Sequence, residues 1–245
     1  HMFEDKGNIV DETWAFIPQE LYDNIPILRE NSTSSAKVYG IDGTPTVHLI
    51  DKNGDGSVNA NDGDKAWLFF GLRRGGSSYY AIDISYPDNP KMMWHINDGT
   101  QGFSEFGQSW SKIKIGYSKI NIVSGEAKPV AFISGGYDTN KDIAGPAQND
   151  SYGRAIYIVD AESGALKWSA SPASSSSTNL KWSGINDSIP SSLATMDSDA
   201  DGLVDRIYAG DAGGNVWRID MPGADPNSSV SPWTIHHLAE FGGES

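Results

Sequence analysis

Three stretches of the chain repeat one order of short strands and turns, and this repeat constrains the fold more than any other feature. Each stretch reads as a strand, a strand ending in glycine, a glycine turn, a strand ending in aspartate and a strand carrying tryptophan. The strand-ending aspartates are Asp83, Asp160 and Asp220. A glycine stands seven residues before each of them, at Gly76, Gly153 and Gly213.

The repeat predicts four strands in each stretch. In the first they are Thr44–His48, Trp67–Gly71, Tyr79–Asp83 and Met92–Trp94. In the second they are Trp110–Ile115, Val130–Gly135, Ala155–Asp160 and Leu166–Trp168. In the third they are Ile189–Leu193, Arg206–Gly210, Val216–Asp220 and Trp233–Ile235.

Four short strands per unit are typical of a β-propeller blade, which buries its faces against the neighbouring blades. The recurring aspartates are 77 and 60 residues apart, which exceeds most propeller periods, and we assign the excess to loops. The 27 Gly, 8 Trp, 10 Tyr and 8 Phe also favour strands and tight turns. We therefore predict an all-β fold, a partial or shortened β-propeller with about three to four four-stranded blades and a short N-terminal helix.

The repeat also sets the expected domain organisation. His1-Met2 resembles a cloning remnant, and we assign residues 3–245 to a single propeller-type domain. A remnant of a preceding blade is expected at 9–36, followed by three blades at about 37–100, 101–172 and 182–240.

The blade remnant contains two predicted elements. Trp14–Ile17 is predicted as a strand of the blade before, and Pro18 to about Arg29 as a short helix. Leu21, Ile25 and Leu28 share one face of that helix. The serine-rich stretches 31–36 and 174–178 are predicted as surface loops.

Charge and composition exclude several classes of function. The chain has 18 Lys and Arg against 32 Asp and Glu, a formal net charge of −14, which disfavours nucleic acid and anionic membranes as partners. It has no cysteine, so disulfides, thiolate metal sites and cysteine nucleophiles are excluded. Its apolar runs are all shorter than the roughly 20 residues that span a bilayer.

The segment from Asp51 to Asp62 has the spacing of a calcium loop. Ca²⁺ takes oxygen ligands, and a calcium loop offers them at alternate positions with glycine at the sixth, here Gly56. The expected ligands are Asp51, Asn53, Asp55, the carbonyl of Ser57, Asn59 and Asp62. Asp62 stands where an EF-hand has Glu, and its shorter side chain reaches less far.

A second segment repeats this register. The expected ligands are Asp197, Asp199, Asp201, the carbonyl of Leu203 and Asp205, with Gly202 at the turn. Position twelve is Tyr208, so either Asp205 closes the coordination sphere or another loop contributes. Carboxylates packed this closely repel each other without a cation. Mg²⁺ fits less well because it requires a tighter octahedron.

Both segments join the first and second strands of their units, in the first and third repeats. The middle repeat has Gly116–Lys128 in that place, without alternating carboxylates. We expect two Ca²⁺ ions to order equivalent corners of two blades rather than to perform chemistry.

The remaining candidates favour structural roles. Asp138, Asn140 and Asp142 have ligand spacing, but Ile143 replaces the glycine, so an Asx turn is favoured. The sequence has neither a phosphate-binding loop nor a G-x-S-x-G motif, and we predict no enzymatic activity. Four histidines are predicted to have structural roles: His48, His95, His236 and His237. The recurring aspartates are predicted to cap turns. Arg73-Arg74 is predicted to lie at a solvated hairpin tip.

Several motifs carry a resemblance to known families. Tyr157-Ile-Val-Asp-Ala-Glu-Ser-Gly-Ala-Leu-Lys-Trp168 resembles the blade motif of quinoprotein-like propellers. In chain order, five further segments are similar to the C-terminal domain of the PilY/PilC family of type IV pilus biogenesis factors and tip adhesins: Trp14–Pro18, Asp42–Val47, Ile133–Tyr137, Asp197–Asp211 and Gly213–Asp220. The resemblance extends from about Glu12 to Trp233.

The PilY/PilC resemblance implies a modified β-propeller outside a bacterial cell, at the pilus tip or outer membrane. It implies roles in pilus assembly, the extension–retraction balance, twitching motility and adhesion. The implied partners are the minor pilins of the pilus tip, an N-terminal region of the same protein and a host or surface receptor. The family's calcium loop is matched by Asp197, Asp199, Asp201 and Asp205. Family propellers have more blades, which implies a fragment or a shortened variant.

Two alternative functions stay open on the sequence. The blade motif also resembles that of pyrroloquinoline-quinone-dependent dehydrogenases. That class usually needs a closed propeller with the cofactor in its central channel, and the few predicted blades argue against it. The chain could also be a generic extracellular scaffold stabilised by calcium.

Overall fold

The computed structural model describes residues 1–33, 37–143 and 148–242. Within these residues the strands form an N-terminal hairpin and three larger sheets, which we call blades 1, 2 and 3 in chain order. In each blade the strands pair with their neighbours along the chain. In blades 1 and 3 this is the four-strand meander that the repeat predicts.

The N-terminal unit differs from its prediction. Strands β1 (Met2–Asp5) and β2 (Val10–Trp14) form an antiparallel hairpin, so the strand ends at Trp14 where we expected it to begin. The predicted helix is divided into a 3₁₀ turn at Gln19–Leu21 and helix α1 (Asn24–Glu30). This division places Pro26 in the first turn of α1, where its missing N–H costs no hydrogen bond.

The expected apolar face of this helix is only partly covered. Leu21 is buried, whereas Ile25 and Leu28 are 43% and 55% exposed. In the part of the chain that the structure describes, no helix is both long and apolar enough to cross a membrane. Of the predicted serine-rich loop at 31–36, residues 34–36 lie outside the described residues.

Blade 1 contains all four strands predicted for it. They are β3 (Thr46–Ile50), β4 (Lys65–Gly71), β5 (Tyr79–Asp83) and β6 (Lys91–Ile96), in that spatial order. All three pairings are antiparallel.

Blade 2 has five strands, one more than predicted. They are β7 (Lys114–Val123), β8 (Glu126–Ser134), β9 (Ile156–Asp160), β10 (Leu166–Ser171) and β11 (Asn179–Lys181), the last parallel to β10. The strand predicted at Trp110–Ile115 begins at Lys114, and the connection predicted at Gly116–Lys128 is instead a long hairpin. Its two-residue turn uses Ser124 and Gly125, both with positive φ, as a type I′ turn requires.

Blade 3 corrects one predicted strand. Its strands are β12 (Ala194–Met196), β13 (Arg206–Gly210), β14 (Asn215–Asp220) and β15 (Thr234–Glu240). The predicted first strand, Ile189–Leu193, lies outside the sheet. Its Ile189 bonds instead to blade 2, where it donates to Gly153 O at 2.9 Å and accepts from Gly136 N at 3.1 Å.

The core consists of layers between blades. In β8, Ala131 and Ile133 face blade 1, whereas Val130 and Phe132 face blade 3. Strand β9 alternates in the same way, so both faces of these central strands are buried, and Val130–Ile133 and Ile156–Val159 are continuous apolar runs. A third apolar layer joins blade 1 to the N-terminal unit through Leu21 and Phe16.

A tryptophan joins blades 1 and 2 directly. The indole Nε1 of Trp94 in β6 donates to Ala161 O at 2.9 Å. Gly164 lies against the same ring, where an added Cβ would be 2.7 Å from Trp94 Cγ, and its φ is +72°. Both conditions exclude a side chain at Gly164, which accounts for this glycine of the blade motif.

Candidate metal loops

The two acidic segments occupy equivalent corners of their blades. Loop 1, residues 51–64, joins β3 to β4, and loop 2, residues 197–205, joins β12 to β13. Each is therefore the connection between the first and second strands, as the sequence predicts. The predicted carboxylate ligands of both loops are exposed or partly exposed, so a cation could reach them from solvent.

The first half of loop 1 wraps around the carboxylate of Asp51. This carboxylate accepts hydrogen bonds from Gly54 N at 2.7 Å and Gly56 N at 2.8 Å. Asp55 accepts from Ser57 N at 2.8 Å. Gly54 and Gly56 have φ values of +73° and +82°, which glycine adopts at no steric cost. The sharp turn expected at the sixth position is present.

The other predicted ligands of loop 1 occur in two pairs. The amide of Asn53 donates to Asp55 at 3.0 Å, and the amide of Asn59 donates to Asp62 at 2.8 Å. Asn59 also caps the 3₁₀ turn at Ala60–Asp62. In the described residues, three carboxylates with oxygens within 4.8 Å of one another occur only in loop 2. Asp51, Asp55 and Asp62 are therefore less closely grouped.

Asp64 closes loop 1, although it is not among the ligands that the sequence predicts. Its side chain is buried at 1% exposure and accepts from Lys52 N and Asn59 N, both at 2.9 Å. These backbone donors, Asn59 foremost, lower the pKa of the Asp64 carboxyl below its ordinary value. Asp64 lies outside the twelve-residue register, but its place directly before the second strand could have revealed it, because Asp205 has the same place in loop 2.

Loop 2 brings three predicted ligands together. Carboxylate oxygens of Asp197, Asp199 and Asp205 lie within 4.8 Å of one another. Asp197 accepts from Gly202 N at 2.7 Å, and Asp205 accepts from Ser198 N and Oγ at 3.0 and 2.6 Å. These bonds hold Asp197 and Asp205 close to Asp199. Three carboxylates in one small volume repel each other, which favours binding of a cation.

Asp201, the fourth predicted carboxylate of loop 2, is engaged elsewhere. One of its oxygens accepts from Leu203 N at 2.8 Å, and the other lies 2.9 Å from the Lys119 ammonium of blade 2. The bond from Lys119 is the main cause that lowers the pKa of the Asp201 carboxyl. The carbonyl of Leu203 remains a predicted ligand.

The weaker acidic segment forms the favoured Asx turn. Asp138 accepts from Asn140 N at 2.9 Å and from Ser151 N at 2.7 Å. Asp142 bonds instead to Arg74 and to the Tyr137 hydroxyl. Backbone N–H groups and a guanidinium therefore already satisfy these carboxylates.

The Arg73-Arg74 turn is not the solvated tip that we expected. The Arg74 guanidinium bonds to Asp142 of the connection between β8 and β9 in blade 2. Both guanidinium groups lie over the Trp110 ring, 4.6 and 4.9 Å from its centroid. The turn thus fastens blade 1 to blade 2.

The histidines occupy separate structural settings. His48 is half-buried beside Trp67 and Tyr117, and burial lowers the pKa of its imidazole. His95 stacks on a tyrosine, His236 lies beside Asp220, and His237 stacks on a tryptophan. His236 and His237 do not share a ligand position, as the alternation of β15 predicts.

The recurring aspartates divide into two roles. Asp83 and Asp160 accept turn N–H groups from Ser85 and Ser163, both at 2.8 Å, and cap their turns as predicted. Asp220 instead pairs with Arg218 at 2.9 Å and His236 at 3.2 Å.

Consecutive meander sheets, packed face to face with acidic loops at equivalent corners, define a β-propeller-type protein. A family model described as the PilY1 beta-propeller domain matches residues 1–236, and the chain belongs to this family. The resemblance and the fold class given by the sequence are thereby confirmed.

Curated relatives agree with this assignment. The type IV pilus biogenesis factor PilY1 of Pseudomonas aeruginosa is 29% identical over 231 residues, which cover 90% of this chain and 16% of that protein. A PilY1 homolog of Xylella fastidiosa is 27% identical over 236 residues, 92% of this chain and 14% of that protein. The chain thus spans about a sixth of the length of these relatives.

A solved structure supports the fold. The crystal structure of the Pseudomonas aeruginosa PilY1 C-terminal domain superposes with a TM-score of 0.57 at 24% sequence identity. The match covers 89% of this chain and 35% of that domain. This likeness supports the propeller architecture.

Proposed function

We propose that this propeller segment is a calcium-binding, non-catalytic module of a type IV pilus biogenesis factor. The observation that carries the proposal is the group of three carboxylates in loop 2, at the blade corner where the calcium register predicts it. The PilY1 relatives are named as biogenesis factors, which favours a module without catalysis.

The donor chemistry of both loops suits Ca²⁺. Carboxylate and amide oxygens are the hard ligands that this ion prefers. In loop 2, Asp197, Asp199 and Asp205 would hold the ion together with the Leu203 carbonyl and Asp201. In loop 1 the donors would be Asp51, Asn53, Asp55, the Ser57 carbonyl, Asn59 and Asp62. The ions would offset part of the negative charge of the acidic clusters and order the two corners.

The cellular role follows from the relatives and is part of the proposal. A module of this kind would act at the bacterial cell surface, at the pilus tip or outer membrane, and support pilus assembly, the extension–retraction balance, twitching and adhesion. Its partners would be minor pilins, further parts of the same protein and a surface receptor. Deletion of the gene, complemented by wild type or Asp201→Ala, tests this role. Normal piliation and twitching in both the deletion and the Asp201→Ala strain would contradict it.

Calorimetric titration of Ca²⁺ into chelator-treated protein tests the metal sites. We expect two sites, one lost in Asp55→Ala and the other in Asp201→Ala. Asp98→Ala is the matched control. Asp98 follows β6, at the end of blade 1 that is far from loop 1. Wild type that binds no Ca²⁺ at millimolar concentration would refute the assignment.

Thermal unfolding provides a second measurement. With Ca²⁺ at about 100 times its dissociation constant, linkage predicts a stabilisation of roughly 2.7 kcal/mol per site. An unchanged unfolding temperature and unchanged amide exchange in the loops would contradict the ordering role.

A further inference from the structure

Lys119 reaches loop 2 from a different blade. It belongs to β7 in blade 2, yet its ammonium lies 2.9 Å from Asp201 Oδ2 and 3.7 Å from Asp199 Oδ2. The side chain is 28% exposed. A lysine of blade 2 thus places a positive charge among the acidic groups of blade 3.

The backbone holds Lys119 at this place. Val204 of loop 2 donates its N–H to Tyr117 O at 2.7 Å, two residues before Lys119 on the same strand. Because β7 is the edge strand of blade 2, loop 2 docks on an otherwise open edge. The position of the ammonium is therefore set by the packing of the two blades.

The ammonium also accounts for the incomplete grouping of the carboxylates. The close group consists of Asp197, Asp199 and Asp205, whereas Asp201 is paired with Lys119. The calcium register uses Asp201 at position five. A lysine side chain therefore holds one carboxylate that the ion needs and lies near a second.

We propose that Lys119 is an affinity-determining residue of loop 2, a tethered cation that competes with Ca²⁺ for Asp201 and Asp199. This inference rests on the proposed calcium function. Two cations beside the same carboxylates repel each other, so Ca²⁺ binding displaces the ammonium. The flexible, strongly hydrated lysine then moves into solvent. Loop 2 consequently binds Ca²⁺ more weakly than its own ligands would allow.

Loop 1 is the internal reference. Within the described residues, no lysine or arginine forms an ion pair with its predicted ligands Asp51, Asp55 or Asp62. A change at Lys119 should therefore alter the affinity of loop 2 and leave that of loop 1 as it was.

Calorimetry of four proteins tests the competition: wild type, Lys119→Met, Lys119→Arg and Lys114→Met. Lys119→Met should bind Ca²⁺ at loop 2 roughly two- to fivefold more tightly, the range expected from loss of one partly exposed ion pair. Lys119→Arg keeps the charge and should retain the wild-type affinity. Lys114 is exposed on the same strand, and Lys114→Met controls for the change in net charge.

Acetylation of wild-type protein with an N-hydroxysuccinimide ester, read by mass spectrometry, gives an independent measurement. Saturating Ca²⁺ should raise the labelling rate of Lys119 relative to Lys114, because the displaced ammonium is exposed. This measurement needs no variant and decides the question if Lys119→Met fails to fold.

The possible failures are distinguishable. If wild type binds no Ca²⁺, the proposed function fails and this inference fails with it. If wild type binds two ions and Lys119→Met leaves loop 2 affinity unchanged, the inference alone is overturned. An equal gain in Lys114→Met, or an unchanged Lys119 labelling rate, overturns it as well.

Discussion

Trp94 and Trp182 provide a matched test of hydrogen bonding between blades. Both are buried, at 6% and 3% exposure. The Trp94 indole donates to Ala161 O at 2.9 Å across the boundary of blades 1 and 2. The Trp182 indole Nε1, between blades 2 and 3, has no partner within the described residues. We predict that Trp94→Phe destabilises the fold clearly more than Trp182→Phe.

The magnitude follows from the two environments. Each substitution removes the same atoms, so the lost packing is similar. Trp94→Phe also leaves the carbonyl of the fully buried Ala161 without this donor, which costs about 1–3 kcal/mol. Trp182→Phe removes a buried N–H that already lacked a partner, and this relief offsets part of the lost packing. The free energies of unfolding should differ by about 2 kcal/mol or more.

Urea unfolding followed by far-ultraviolet circular dichroism measures both variants against wild type. All samples should contain chelator, because bound Ca²⁺ would add its own linkage. Equal m values would show that the midpoints report stability alone. If Trp182→Phe costs as much as Trp94→Phe, a bound water satisfies the Trp182 N–H and the reasoning is refuted.

Three further predictions concern stability. Gly164→Ala should cost at least about 2 kcal/mol more than Gly125→Ala in urea unfolding, since both glycines have positive φ but only Gly164 lacks space for a Cβ; equal costs would contradict this. Burial lowers the His48 pKa below its ordinary 6.5, so the unfolded state takes up the proton first and stability falls as pH drops through 6.5. His48→Phe should lack this part of the pH dependence, and an unchanged profile would refute it. A double-mutant cycle of Arg74→Met and Asp142→Asn should give a coupling of at most about 1 kcal/mol, because both side chains are partly exposed; a larger value would show a desolvated pair.

Most central strands could be predicted because their composition favours strands and because the same pattern recurs in each blade. Strands such as β5 and β9 combine β-branched and aromatic residues with a terminal aspartate, and the same pattern recurs in each blade. Because both faces of these strands are buried, a continuous apolar run replaces the usual alternation. Repetition at corresponding positions is what made the runs recognisable as strands.

The strand predictions were wrong where contacts between residues distant in sequence decide the structure. The β7–β8 hairpin turns at Ser124-Gly125, a weaker signal than Asn-Gly or Asp-Gly, and Pro129 lies within β8. Ile189 belongs to an apolar stretch that resembles a strand, yet its backbone bonds to a turn of blade 2. Local patterns do not reveal which blade a connecting segment joins.

In the candidate site, too, the features set by local sequence could be predicted and those set by distant contacts could not. Loop 1 and loop 2 were predictable because calcium spacing is local along the chain. Lys119 was not, because it lies about 80 residues before loop 2 and meets it only after blades 2 and 3 pack. No spacing rule relates a strand lysine to an acidic loop of the next blade.

The closing acids explain how two loops of unequal length occupy the same corner. Asp64 and Asp205 each stand directly before the second strand and each accept the N–H of the second loop residue, Lys52 or Ser198. In loop 2, Asp205 also joins the close carboxylate group. In loop 1, both oxygens of Asp64 accept backbone N–H groups, so Asp64 is committed to the backbone.

The longer loop compensates for this difference. Loop 1 is five residues longer between its first acid and its closing acid, and the additional segment contains Asn59 and Asp62. In the proposed calcium state, loop 2 would therefore complete its sphere with the closing acid itself, whereas loop 1 would use this additional segment. Two sites built from one corner but closed by different residues should bind Ca²⁺ with different affinities, and the competition from Lys119 should lower the affinity of loop 2 alone.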